Sequence, residues 1–211
     1  MNIFFDLDGT LTDSGPGIIR CARETFGHYG IPIPDDAAMR TMVGPPLRQS
    51  FRRFGVPEDQ VEAAIVHYRR LYTDDGGMFE NIPYPGIEAL LDRLQKDGHR
   101  LSVATSKPEH MAVAILEHFH LAHFFEHICG SLQDGIRDSK SAVLSYLLEK
   151  IGSAGDAIMV GDTVYDVVGA AALGIPTIAV SWGYGDCQQM LDSGAVGIAE
   201  TTDGLYALLR K

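Results

Sequence analysis

Asn2-Ile3-Phe4-Phe5-Asp6-Leu7-Asp8-Gly9-Thr10-Leu11-Thr12-Asp13 is the stretch around which the rest of the chain is organised. A compact apolar run that closes on a carboxylate and then a glycine turn predicts a buried strand ending in chemistry. Asp6 and Asp8 stand two residues apart, so an extended backbone sends both carboxylates toward the same side. That side is the carboxyl edge of the sheet, where open α/β folds hold their ligands. The competing reading is a plain strand followed by a turn of solvated aspartates. A D-x-D-G-T run arises by chance in a chain of this length only about a few times in a thousand, which counts against it.

Beyond this stretch, Ser14-Gly15-Pro16-Gly17 punctuates the chain, and Ile18, Ile19, Ala22, Thr25, Phe26 and Tyr29 then recur at helical spacing up to Gly30. Residues 35–42, 47–54 and 57–72 keep the helical rhythm, broken at Gly44-Pro45-Pro46 and at Gly55. In the last of these, Val61, Ile65, Tyr68 and Tyr72 form an apolar stripe opposite Glu62, Arg69 and Arg70. Only helical periodicity occupies 16–79, which predicts an all-helical insertion with hinges near 12–16 and 81–85. From Pro85 the rhythm alternates. Helices are predicted over 86–97, 111–119, 139–151, 165–173, 186–193 and 203–209, with strands over 101–104, 126–129, 157–160 and 176–180. Such alternation marks a doubly wound parallel sheet. The expected fold is therefore α/β, a Rossmann-like core of residues 1–14 and 82–211 with a helical cap domain inserted at 15–81.

The 211 residues carry 28 Asp and Glu against 17 Lys and Arg, a formal charge of −11, and no basic run offsets the excess. This excludes nucleic acid as the main partner but leaves a small phosphorylated metabolite open, because local cations and a metal override a global field. Cys21, Cys129 and Cys187 are odd in number and lack C-x-x-C spacing, so neither a disulfide framework nor a zinc knuckle is expected. A reducing compartment suits them. No basic-then-apolar leader precedes Phe4 and no apolar run reaches membrane length. The expectation is a cytoplasmic protein without a membrane partner, acting as a monomer or homodimer.

Each predicted strand end carries a polar group: Asp6 and Asp8 after the first, Thr105 after the second, Asp162 after the fourth. Gly161-Asp162-Thr163-Val164-Tyr165-Asp166 sets two more carboxylates four residues apart, sharing a face where the chain turns into a helix. A capping aspartate at a strand-to-helix turn is the simpler alternative. Four carboxylates around one point repel by about 3 kcal/mol per pair at about 5 Å and an effective dielectric of about 20. The site calls for a cation. Hard oxygen donors, with no His or Cys in these stretches, point to Mg²⁺ rather than zinc. A metal would also neutralise a phosphate and leave one aspartate as nucleophile.

The D-L-D-G-T-L run from Asp6, the strand-ending Thr105, Lys140, and G-D-T-V-Y-D from Gly161 resemble the four ordered motifs of the haloacid dehalogenase-like hydrolase superfamily. The helical insertion resembles its C1-type cap. Val43-Gly44-Pro45-Pro46-Leu47 and Trp182-Gly183-Tyr184-Gly185 are similar to stretches of the phosphoglycolate phosphatase branch. Gly135-Ile136-Arg137-Asp138-Ser139-Lys140-Ser141 lacks the proline usual after the lysine there and looks more like the bacterial 5′-nucleotidase-like members. The resemblance implies a phosphatase in which Asp6 attacks phosphorus and binds Mg²⁺, while Asp8 carries the proton and offers its backbone carbonyl to the metal. It further implies that Thr105 binds a phosphate oxygen, Lys140 balances the charge, Asp162 ligates Mg²⁺ and Asp166 acts from behind or through water. Arg137 is the alternative cation to Lys140. Gly9, Thr10, Ser106 and Lys107, with Arg48 in the insertion, complete the candidate substrate contacts.

Two other enzyme readings share these motifs, a phosphosugar mutase resembling β-phosphoglucomutase and a metal-free dehalogenase, the latter disfavoured by Asp8. A receiver-like phosphoacceptor domain is the non-enzyme alternative, but Cys129-Gly130-Ser131 stands where its acceptor belongs. His118, His120, His123 and His127 read as the wet side of a helix end entering a strand rather than a metal site.

Overall fold

The computed structural model describes residues 1–45, 47–132, 137–153 and 155–210. Pro46 of the glycine-proline break and Gly135 and Ile136 of the third motif lie outside the described residues.

The opening run forms β1 (Asn2–Phe5), whose Ile3, Phe4 and Phe5 are all buried. Burial on both faces explains why this strand is continuously apolar instead of alternating. After β2 (Thr12–Asp13) the chain divides into two compact units, Met1–Thr12 with Pro83–Lys211, and Asp13–Ile82. The second unit is built from α1 (Gly15–His28), α2 (Asp36–Arg40), α3 (Leu47–Arg53) and α4 (Val61–Thr73). Helix α1 begins at Gly15, before the expected Ile18, because Pro16 in the first turn lacks only an N–H that has no helical partner there. Asp35 caps α2 by accepting from the Ala38 N–H at 2.8 Å. Phe26, Phe51, Tyr68 and Tyr72 fill the interior, the Phe26 and Phe51 rings edge to face at 5.6 Å and the Tyr68 and Tyr72 rings stacked at 5.6 Å. Met39 and Met42 are buried in the same unit. Arg48 on α3 is ion-paired with Glu62 on α4.

The chain leaves this unit through β3 (Ile82–Pro83), which pairs with β2 in a two-stranded ladder. The other unit then alternates: α5 (Ile87–Lys96), β4 (Arg100–Pro108), α6 (Glu109–His118), β5 (His127–Ser131), α7 (Lys140–Ile151), β6 (Ala157–Gly161), α8 (Val164–Ala171), β7 (Thr177–Val180), α9 (Cys187–Asp192), β8 (Gly197–Ala199) and α10 (Thr202–Leu209). The six-stranded sheet has the order β5-β4-β1-β6-β7-β8, and every pairing in it is parallel. Strand β1 lies between β4 and β6, with Phe5 in register with Val103 and Val160. The chain winds outward one way through β4 and β5 and the other way through β6 to β8. The carboxyl end of β1 is thus the topological switch point, the place where open α/β sheets bind ligands. On one face Phe4, Ala104, Cys129 and Met159 pack against Val143, Leu144 and Leu147 of α7.

Within the six-stranded sheet, two strands depart most from the sequence expectation. The edge strand β8 went unseen because three residues beginning with glycine carry no readable period. Strand β4 runs on through Pro108 instead of ending at Ala104, with a register shift between those two residues.

Candidate active site

The backbone after β1 folds into a tight loop in which the Gly9 N–H donates to Thr12 O at 2.8 Å and the Leu11 N–H to Leu7 O at 2.9 Å. Gly9 holds a φ of +83°, and a Cβ there would stand 2.1 Å from Asp162 Oδ2, so the position admits only glycine. The loop presents Asp6 at the switch point. Asp6 Oδ1 accepts from the Leu7 N–H at 2.8 Å and lies 2.9 Å from Lys140 Nζ. Strand β6 ends beside it, so that Asp162 and Asp166 join Asp6 in a buried trio whose carboxylate oxygens lie within 4.8 Å of one another.

Lys140 answers this charge from the first position of α7, behind the Ser139 cap. Its ammonium donates to Ala104 O at 2.9 Å and pairs with Asp6 Oδ1 at 2.9 Å and Asp166 Oδ1 at 2.7 Å. All three donors are thereby used. A cation at a helix N-terminus opposes the helix dipole, so local preference is overridden here by the two carboxylates. Burial works against the ammonium, yet Asp166 and Asp6 outweigh it and hold its pKa above the usual lysine range. Burial pushes the Asp6 carboxylate up to about 6, with Lys140 pulling the other way and Asp166 and Asp8 adding to the rise. Asp162 is raised well above the carboxylate range, first by burial and then by Asp166 and Asp6. Replacing the cation should expose this strain. Lys140→Met is expected to cost about 3–5 kcal/mol in urea unfolding with chelator present, because two buried carboxylates lose their countercharge. A loss under about 1 kcal/mol would show that the trio is neutralised without Lys140.

Asp166 holds two jobs at once. Its Oδ2 accepts from the Thr163 N–H at 3.0 Å and from Thr163 Oγ1 at 2.8 Å, capping α8, while Oδ1 faces Lys140. Asp8 points elsewhere: its Oδ2 pairs with Lys107 Nζ at 2.7 Å, and its Oδ1 is buried without a hydrogen bond. Sequence reasoning placed Lys107 near the anion without finding this pair; Lys107 shares the buried face with Thr105 by strand alternation, and its partner Asp8 stands 99 residues away in the chain. Thr105 is buried and its Oγ1 accepts from the Lys107 N–H at 3.2 Å, whereas Ser106 is exposed. Thr10 Oγ1 donates to Asp162 Oδ1 at 3.3 Å. Arg137 is engaged outside the trio: Nε donates to Gly130 O at 2.6 Å, Nη2 pairs with Glu109 at 2.7 Å, and the guanidinium stacks on Tyr146 at 3.7 Å. Arg48 belongs to the other unit, where Glu62 is its partner. Among the described residues, none of the four histidines between 118 and 127 joins a metal-competent cluster.

The trio fits a hard divalent cation. It supplies only oxygen donors, it is buried, and its carboxylates are mutually repelling. Residues 3–180 match the model of the haloacid dehalogenase-like hydrolase family. The chain belongs to that family. Over 184 residues, 87% of this haloacid dehalogenase-like chain, it is 44% identical to the tyrosine-protein kinase PtkA of Mycobacterium tuberculosis and spans 62% of that protein's length. It is 40% identical to a 5′-nucleotidase of Pseudomonas aeruginosa over 87% of this chain and 84% of that one. A crystal structure described as a predicted phosphatase from Clostridium acetobutylicum superposes with a TM-score of 0.91 at 41% identity, covering 99% of this chain and 97% of that one. No helix among the described residues is long and apolar enough to cross a membrane.

Proposed function

We propose that this chain is a Mg²⁺-dependent phosphatase that hydrolyses a small phosphomonoester, a nucleoside 5′-monophosphate or a phosphoglycolate-like metabolite, through an aspartyl-phosphate on Asp6. The reading also makes the inserted helical unit the cap that selects the substrate. The observation that carries it is Asp6 at the switch point, 2.9 Å from Lys140 and joined with Asp162 and Asp166 in one buried trio. Asp6 and Asp162, with the Asp8 backbone carbonyl, would hold the metal, and Asp166 would support it from behind. Bound there, Mg²⁺ masks the phosphate's charge and polarises its oxygens.

The chain's own residues do the rest. Asp6 needs no activating base, since an ionised carboxylate is already a nucleophile once the phosphate's charge is masked. Its oxygen forms a bond to phosphorus as the bond to the leaving oxygen breaks, and Asp8 gives that alkoxide its proton. Asp8 then takes a proton from water, the water oxygen bonds to phosphorus, and the Asp6–phosphorus bond breaks to release phosphate. Lys107, 2.7 Å from Asp8, is the cation that positions this proton carrier. Lys140 holds Asp6 oriented throughout, and Thr105 offers a hydroxyl to a phosphate oxygen.

A screen of phosphate release across nucleoside monophosphates, phosphoglycolate and sugar phosphates tests the reading. Release from the first two is expected to be fastest and to stop in excess chelator. Sugar phosphates isomerised faster than phosphate is freed would replace it with the mutase reading. A second reading, transfer of a phosphoryl group to tyrosine, is favoured by the 44% identity with PtkA. Incubation with ATP and a tyrosine peptide distinguishes the two, since the phosphatase leaves the peptide unmodified.

A further inference from the structure

The Trp182-Gly183-Tyr184-Gly185 loop that follows β7 contributes no carboxylate, yet it touches both arms of the acid cluster. Tyr184 N–H donates to Asp162 Oδ2 at 2.8 Å. Trp182 Nε1 donates to Thr10 O at 3.1 Å, and Thr10 in turn places its hydroxyl 3.3 Å from Asp162 Oδ1. Both oxygens of Asp162 are therefore held, one by the loop's backbone and the other by a residue the loop anchors. The intervening glycines are required by proximity. A Cβ on Gly183 would stand 2.3 Å from Asp162 Cβ and 2.5 Å from Gly9 O, and one on Gly185 would stand 2.0 Å from Asp162 O. The loop thus lies directly against the backbone of the turn after β1 and the turn after β6. A tilted contact between the Tyr84 and Trp182 rings, 6.3 Å apart, steadies the indole.

The need for such a brace is physical. Asp162 is fully buried beside two like charges, and a carboxylate under that repulsion turns away unless neutral donors fix it. We infer that the Trp182–Gly185 loop is a positioning loop for the metal site: it aims Asp162 through the Tyr184 N–H and locks the turn after β1 onto it through the Trp182 indole. The inference rests on the metal reading given above, and it assigns the loop to cation affinity and to no chemical step. Groups that orient a ligand in this way are worth about 10- to 100-fold in metal affinity.

Calorimetric titration of the metal-free chain with Mg²⁺ tests it on wild type, Trp182→Phe and Gly183→Ala. Trp182→Phe keeps an aromatic ring but deletes the indole N–H together with the fused second ring. It is expected to raise the Kd for Mg²⁺ by about 3- to 10-fold, to lower the metal-free melting temperature by no more than about 2–6 °C for the lost hydrogen bond, and to regain wild-type kcat at saturating Mg²⁺. Gly183→Ala, which forces Asp162 or the loop to shift, is expected to raise Kd by about 10- to 100-fold. If Gly183→Ala does not fold, Trp182→Phe decides alone. Wild-type Kd in every folded variant overturns the positioning role and leaves the metal reading standing. A wild-type chain that takes up no Mg²⁺ overturns the metal reading, and the loop's role with it.

Discussion

Asp6→Asn is expected to lower turnover of the best phosphomonoester by about 10⁴-fold or more, because removal of the proposed nucleophile from a site whose parts act as a unit would forfeit most of the rate enhancement. The fold should survive. Asparagine keeps an oxygen to accept from the Leu7 N–H, and Lys140 retains Asp166 and the Ala104 carbonyl as partners. Replacing one of three crowded carboxylates also removes repulsion that burial would otherwise magnify. Melting in chelator should therefore show the variant as stable as wild type or more so, while phosphate release disappears. This separation of stability from activity is what assigns Asp6 to chemistry. A variant that retains a tenth of the wild-type rate, or one that loses activity only because it unfolds, removes Asp6 from the nucleophile's role.

The parts of this arrangement that were legible in the chain share one property: their signal is local. The apolar run before Asp6, the alternation after Pro85 and the Gly161-Asp162 turn each announce a strand end within a few residues. Lys140 could be preferred to Arg137 because it opens a helix whose start was expected beside the site. What stayed hidden depends on distant partners. Lys107 shares the buried face with Thr105 by ordinary alternation, but its partner Asp8 stands 99 residues away, and nothing in Thr105-Ser106-Lys107-Pro108 points to it. Arg137 stood as the fallback to Lys140, yet the Gly130 carbonyl seven residues back and Glu109 twenty-eight residues back hold it outside the trio. The Tyr184 N–H is a backbone group, invisible to any reading of side chains, although the glycines on either side of it were a clue to close approach.

Asp162→Asn is expected to reverse the order of stability between two conditions. In chelator the variant should be more stable than wild type by about 1–3 kcal/mol, since a charge buried beside Asp166 and Asp6 is replaced by a neutral amide. For a chain of this size that corresponds to a rise of roughly 2–4 °C in melting temperature per kcal/mol. The amide fits the existing hydrogen bonds: its oxygen accepts from the Tyr184 N–H and its NH₂ donates to Thr10 Oγ1. Magnesium then separates the two proteins. At about 100 times its Kd the cation should stabilise wild type by about 2.7 kcal/mol, offsetting the repulsion that the empty trio bears. The variant, short of a direct oxygen ligand, should show at least a 100-fold weaker response and lose phosphate release with it. Wild type would then overtake the variant as Mg²⁺ rises, and the concentration at which the melting curves cross reports the affinity of the site. Parallel curves that never cross would mean that Asp162 is a structural acid, and that the repulsion within the trio is settled by Lys140 alone.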